Sequence, residues 1–337
     1  MRAVVLRDGE LQVRDTADPV PGPGQLLLRP LSAAICASDV HYMDHPNSAP
    51  RFVWDPGRDT IMGHEFIGEV VGHGPGGSGD FPVGSRVTSL PLLIREGAEP
   101  HVIGHDPDAP GAFGELMLVS EVLSRTVPDA VPNDAVAVVD AFAVGEFYVR
   151  SSAIAPGEVP LVVGAGAIGL SAVAALVARG VAPVIVSDYS AERLEYAKKF
   201  GAEILVNPSE RSPYEVWREV ARVQKPQVIF ECVGAPGLLA HIIGSCEFLA
   251  RLFAAGGWHG SDSVSVTEAT HKGVTIQFGG GPHPVDWYGT LDAVVDGRLD
   301  PLPSIGKVIG LDEVPDAIDQ ARSSQGPPRV VVHPTAS

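Results

Sequence analysis

The stretch VPLVVGAGAIGLSAVAALVARG, residues 159–180, decides the fold. An apolar strand-like run ends at Gly164 and an apolar helix-like run begins after Gly166, with Gly169 one turn further on. A Gly-x-Gly-x-x-Gly pattern alone is weak, because turns rich in small residues produce it by chance. Placed between a strand and a helix it carries a mechanism. Gly164 permits the tight turn, Gly166 lets a pyrophosphate approach the backbone, and Gly169 allows the helix to pack closely on the strand. Ala167 and Ile168 open a helix whose N–H groups and dipole would face the phosphates of a dinucleotide.

Outward from this stretch, the chain alternates strand and helix. The runs VAPVIVSD, AEILVN, QVIFECV, RLFAAGG and GVTIQFGG are separated by helical stretches such as AERLEYAKKFGA, PYEVWREVARV and GLLAHIIGSCEFLA. About six strands with intervening helices predict a parallel, doubly wound sheet. Asp188 ends the second strand, nineteen residues after Gly169, where a carboxylate would hold the adenosine ribose and repel a 2′-phosphate. NAD is therefore expected rather than NADP. The alternative is that Asp188 only caps the following helix. Arg193 either flanks the adenine or lies on a solvated helix face.

Residues 1 to about 130 read differently, as short strands broken by Gly and Pro clusters: MRAVVLRDG, GQLLLRPLSAAIC, HEFIGEVVGHG, GSRVTSLPLL and GELMLVS. From Pro132 the spacing turns helical, with Asn133 and Asp134 as cap candidates. A tail beyond Pro282, with two helical stretches and the run RVVVHP, is too small for a domain of its own and should pack on an earlier one.

Composition narrows the partners. A chain of 337 residues exceeds what one core usually supports, so two domains are expected. A net charge of −17, scattered along the chain, argues against nucleic acid and anionic membrane. The apolar runs are too short to span a bilayer, and the charged N-terminus is unlike a signal peptide, so the cytoplasm is expected. Three cysteines make no disulfide framework, and Cys232 and Cys246 sit in apolar runs as small buried hydrophobes.

Cys36 is different. It opens the segment ICASDVHY with Ser38, Asp39 and His41 close behind, and Gly-His-Glu follows at His64 and Glu65. Thiolate, imidazole and carboxylate are all zinc ligands, and three of them with one open position make a catalytic site. The spacing is too wide to fix a ligand set by itself, and a lone Cys or His is more often part of a core.

With CASDVH, GHE, the helix after Asp140 and the GAGAIG turn in this order, the chain resembles the zinc-dependent medium-chain alcohol dehydrogenases over nearly its whole length. The resemblance implies a Rossmann doubly wound parallel sheet, residues 142–282, inserted in a β-rich GroES-like catalytic domain of residues 1–141 and 283–337. It further implies one catalytic zinc on Cys36, His64 and Asp140, with Glu65 a near or exchangeable ligand and Asp39 orienting His64. Ser38 would bond the substrate oxygen, and His41 would pass its proton on through the cofactor ribose. Arg329 would reach the pyrophosphate, unless it is an exposed charge before the last strand. Main-chain groups near FAAGG and GVTIQFGG would border the nicotinamide. The implied reaction is NAD-linked interconversion of an alcohol, a secondary alcohol or polyol among them, with its ketone or aldehyde. The implied assembly is a homodimer or homotetramer.

The sequence also departs from the family. The lobe that holds a structural zinc on four cysteines in many relatives has none in SLPLLIREGAEPHVIGHDPDAPGAF, and His101 and His105 alone do not replace them. Asp140 has a rival carboxylate in Glu146. Competing functions are a zinc-free reductase of an activated double bond and a nucleotide-binding redox sensor without turnover. The reductase has no need for Cys36, His64 and Asp140 together, and the sensor has no use for Ser38 and His41. Trp54, Phe66, Phe142, Trp258 and Trp287 could line a substrate cleft or simply fill the core.

Overall fold

The alternating pattern of the middle of the chain becomes one parallel sheet. A computed structural model describes all residues except 46–51, 222–225, 258–260, 280, 324–325 and 336–337. The described residues divide into two compact units, Met1–Asp140 with Asp300–Ser337, and Ala141–Leu299.

In the second unit the strands Pro160–Val163, Ile185–Ser187, Ile204–Val206, Val228–Glu231, Arg251–Ala254 and Thr275–Phe278 pair only in parallel. Numbered along the chain, their spatial order is third, second, first, fourth, fifth, sixth, the doubly wound dinucleotide-binding order. Helices cover the sheet, so its inner strands are continuous apolar runs; Val228–Glu231 is buried at every position. Leu161, Ile185, Ile229 and Leu252 form the centre of one core. Burying each such side chain contributes roughly 1.5–3 kcal/mol. The helix Val266–Lys272 between the last two strands was not anticipated. Its signal was a short one: Ser265 accepts the backbone N–H of Glu268 at 3.2 Å, the Ser-x-x-Glu start of a helix.

The first unit is antiparallel in the main. Its largest sheet centres on Gln25–Ala34, which pairs with Glu65–His73, Met117–Ser120 and Arg329–Val332. The final strand thus returns the tail to the first unit, beside the parallel partner Ile305–Ile309. A smaller sheet of three strands is built on Arg2–Arg7. Leu26, Leu28, Phe66, Val70, Phe113 and Met117 share its core. The expected caps Asn133 and Asp134 are used elsewhere. The helix Asn133–Ala137 starts from Pro132, Asn133 accepts from Arg86 Nε at 3.1 Å, and Asp134 accepts from the Ser32 hydroxyl at 2.8 Å.

The tail does not all return to the first unit. The helix Pro284–Val295, expected in residues 283–337 of the catalytic domain, lies in the second unit. Arg150 binds its Asp286 through Nε at 2.5 Å and Nη2 at 3.0 Å, and Phe147 stacks on His283 with centroids 5.1 Å apart. These contacts are ones that the boundary implied by the resemblance does not show.

Candidate functional site

Strand register explains how distant residues meet in the first unit. Ala34, near the end of Gln25–Ala34, lies opposite Glu65 on one side and opposite Val331 on the other. Cys36, two residues after Ala34, is therefore brought to His64, Glu65 and Arg329. Gly63 makes the approach to His64 with φ +96, and an added Cβ there would meet Phe113 Cδ1 at 2.7 Å. Only glycine suits that turn.

Ligand-capable atoms of Cys36, His64 and Glu65 lie within 4.8 Å of one another. Cys36 is partly exposed, whereas His64 and Glu65 are buried. Both carboxylate oxygens of Glu65 are buried with no hydrogen bond among the described residues, and an ion pair with the buried Arg329 balances the charge. Burial alone would push the Cys36 thiol up, but the hydrogen bond and charge of His64, with the charge of Arg329, hold it below its ordinary value. Burial likewise opposes the His64 imidazolium, yet Asp39 and then Cys36 raise its pKa well above the usual range. A thiolate, an imidazole and a buried carboxylate are donors a zinc ion takes, and the set fits such an ion.

Asp39 is fully buried on the helix Ala37–Asp44, and its carboxylate organises these groups. Its Oδ2 accepts the backbone N–H of Cys36 at 2.9 Å, and its Oδ1 lies 3.2 Å from His64 Nδ1. That leaves His64 Nε2 directed elsewhere, 3.2 Å from the Ser38 hydroxyl. Ser38 and His41, three residues apart on this helix and both partly buried, share one face.

Three of the expected residues have the following surroundings. Asp140, on the helix Val139–Ser152, is in neither group of metal-capable side chains among the described residues; Glu65 stands third beside Cys36 and His64. Its rival Glu146 belongs to the second unit, where it accepts from Arg179 Nη1 at 2.7 Å. Arg329 is not an exposed charge, being 2% exposed and paired with Glu65. Sequence reasoning weighed His105 only with His101, as a replacement for the structural-zinc cysteines. His105 is buried with Nε2 3.2 Å from Asp39 Oδ1, and no local pattern in its Pro- and Gly-rich surroundings announces that contact.

The glycine turn forms the second site. Gly164 has φ +97, and Gly169 packs so closely that a Cβ would fall 1.9 Å from the Gly164 carbonyl oxygen. Beside Gly166 a Cβ would meet nothing within 4 Å, the open approach a pyrophosphate needs. Gly166, Ala167 and Ile168 are partly exposed at the start of the helix Ala167–Ala178. Asp188 does not cap the next helix: Ser190 does, accepting the Arg193 N–H at 3.3 Å. Asp188 instead accepts Ala165 N–H and Ser190 N–H, each at 2.8 Å, joining the glycine turn to the end of the second strand. Arg193, partly buried, opens that helix. The donor geometry fits a dinucleotide.

Of the aromatic candidates, Phe66, Phe142 and Trp287 are buried, and Trp54 packs against the core with its ring 5.6 Å from that of Tyr42. Trp258 lies outside the described residues. Cys232 and Cys246 are buried free thiols, both pushed up by burial. No helix among the described residues is long and apolar enough to cross a membrane.

Comparison with known proteins bears on the whole chain. Residues 22–129 match the alcohol dehydrogenase GroES-like domain, and residues 167–296 match the zinc-binding dehydrogenase domain. The (R,R)-butanediol dehydrogenase of Neisseria gonorrhoeae is 29% identical over 326 residues, 91% of this chain and 91% of that protein. The L-threonine 3-dehydrogenase of Escherichia coli K12 is 28% identical over 337 residues, 96% of this chain and 97% of that protein. The crystal structure of 2R,3R-butanediol dehydrogenase from Bacillus subtilis superposes with a TM-score of 0.85 at 26% identity, covering 99% of each chain. With both halves matched in order, and with thiol, imidazole, carboxylate and glycine turn in place, the chain belongs to the zinc-dependent medium-chain dehydrogenase family.

Proposed function

We propose that this protein oxidises a small secondary alcohol carrying a neighbouring polar group, a diol or polyol, with NAD as acceptor, and that Cys36, His64 and Glu65 hold one catalytic zinc. The observation that carries this reading is the convergence of those three side chains within 4.8 Å, with Glu65 buried and its charge balanced by Arg329. The butanediol and threonine dehydrogenases among its relatives support the substrate class.

When bound, zinc would supply Lewis-acid polarisation of the substrate oxygen, and NAD would accept the hydride. The chain's own residues do the rest. Asp39 accepts the hydrogen bond of His64 Nδ1–H, fixing the tautomer that leaves Nε2 to the metal. The Ser38 hydroxyl, already beside His64 Nε2, takes the substrate's hydroxyl proton, and His41 on the same helix face carries it onward. The Gly164–Gly169 turn seats the pyrophosphate, and Asp188 holds the ribose hydroxyls, favouring NAD over NADP. In the parallel sheet the edge strand Thr275–Phe278, with Phe278 exposed, offers a second copy of the chain a pairing surface for a homodimer or homotetramer.

The test is metal content with turnover. Purified protein should carry one zinc per chain and oxidise diols with NAD, and Cys36→Ser should lose both. A metal-replete preparation that holds no zinc yet turns over would overturn the reading.

A further inference from the structure

His105 has no part in the reaction as derived so far, yet its surroundings are too specific for a space-filling ring. It is 1% exposed, and its Nε2 shares Asp39 Oδ1 with His64 Nδ1, each at 3.2 Å. Its other nitrogen, Nδ1, is buried without a hydrogen-bond partner among the described residues. A phenyl ring would fill the same space without an unpaired polar atom. The nitrogen that does bond therefore accounts for a histidine at this position.

We propose that His105 is a positioning residue for the metal centre, holding the Asp39 carboxylate in the orientation that aims His64 at the metal. The proposal rests on the reading of Cys36, His64 and Glu65 as the metal set. Rotation about the last side-chain bond of aspartate is soft, so a carboxylate that must orient a ligand needs both oxygens fixed. Oδ2 is fixed by the Cys36 backbone N–H at 2.9 Å. Oδ1 is shared, and without His105 its one remaining donor would be the imidazole it is meant to orient.

His105 can serve as the anchor because it is itself clamped. Its ring lies 4.4 Å from that of Phe52 and 4.9 Å from that of Tyr42, centroid to centroid. Its N–H donates to the Val102 carbonyl and its own carbonyl accepts from Val53, both at 3.1 Å, while the Tyr42 hydroxyl donates to the Val53 carbonyl at 2.7 Å. The chain His105–Asp39–His64 thus transmits the rigidity of an aromatic cage to a metal ligand. It also ties the ligand helix Ala37–Asp44 to the loop that follows His101–Val102.

The experiment compares the full-length protein with His105→Phe, which keeps a ring and loses the donor, and His105→Gln, which keeps an N–H within reach. Cobalt(II) replaces zinc as the probe, its affinity measured by chelator competition and its site by the thiolate charge-transfer band. His105→Phe should bind cobalt about 10- to 100-fold more weakly, with an altered band, and His105→Gln should recover most of the loss. Equal affinity and identical bands in all three proteins would overturn the proposal alone, as would a lowered thermal midpoint of the metal-free His105→Phe protein with unchanged affinity. If the unmodified protein shows no band that Cys36→Ser abolishes, the metal set falls and the proposal with it. Should His105→Phe fail to fold, His105→Asn against His105→Gln decides: the shorter amide cannot reach Asp39, and equal affinities would count against positioning.

Discussion

The two sites of this protein are made in opposite ways. The dinucleotide site is a contiguous stretch of backbone, Gly164 to Gly169, joined to one carboxylate at the end of the neighbouring strand. The proposed metal site takes its ligands from two separate segments and backs them with Arg329 from a third, gathered because Glu65 and Val331 flank Ala34 in one sheet. The backbone-made site depends on the absence of atoms, and the side-chain-made site on their presence. Each should therefore fail in its own manner.

The sharpest test removes one oxygen from the side-chain-made site. The Ser38 hydroxyl is partly exposed and touches His64 Nε2 without supporting the core. Ser38→Ala should lower kcat by about 10²- to 10⁴-fold, the range of a lost general acid–base group, while zinc content and NADH binding stay unchanged. Steady-state kinetics with metal analysis and an NADH fluorescence titration would check this. Loss of zinc along with turnover would break the comparison by making Ser38 part of the ligand scaffold.

Adding one carbon to the backbone-made site should separate packing from approach. At Gly169 a Cβ would fall 1.9 Å from the Gly164 carbonyl oxygen, so Gly169→Ala should destabilise the second unit by about 1–3 kcal/mol or more. At Gly166 a Cβ meets no protein atom within 4 Å, so Gly166→Ala should leave the melting temperature alone and weaken NADH binding. Thermal unfolding and NADH titration of both variants would show it. If both variants lose stability equally, the open space beside Gly166 is not kept for a ligand.

The same contrast explains what the sequence revealed. The parallel sheet and the glycine turn were legible because a continuous apolar run, a turn and a helical run follow one another in the chain. Cys36 and His64 stood out as candidate zinc ligands through the resemblance of CASDVH and GHE to a family, not through spacing. What escaped were partners chosen by tertiary contact. Arg329 looked like an exposed or cofactor-facing base, yet strand pairing beside Ala34 buries it against Glu65. Asp140 stood out as a carboxylate at a helix start, while Glu65 is the carboxylate that register delivers to Cys36. His105, in a stretch of Pro and Gly with no periodicity, gave no signal of its contact with Asp39. The helix Val266–Lys272 did carry one, the Ser265–Glu268 start, but seven residues are too few for a periodic face.

Asp188 is where the two modes of construction overlap, since a side chain there supports a backbone site. Its carboxylate accepts Ala165 N–H and Ser190 N–H, both at 2.8 Å, and the ribose reading asks the same group to serve a ligand as well. Asp188→Asn separates the roles. The amide can still accept one of the two N–H groups but presents no charge to a 2′-phosphate. If Asp188 reads the ribose, the ratio of kcat/KM for NAD to that for NADP should fall by about tenfold, equivalent to about 1.4 kcal/mol, mostly through NADP gaining. If Asp188 only ties the glycine turn to the strand end, both cofactors should weaken together and the ratio should hold. The second result would mean that selectivity between the cofactors is set by the groups beyond Asp188, with the backbone turn indifferent to the 2′ position.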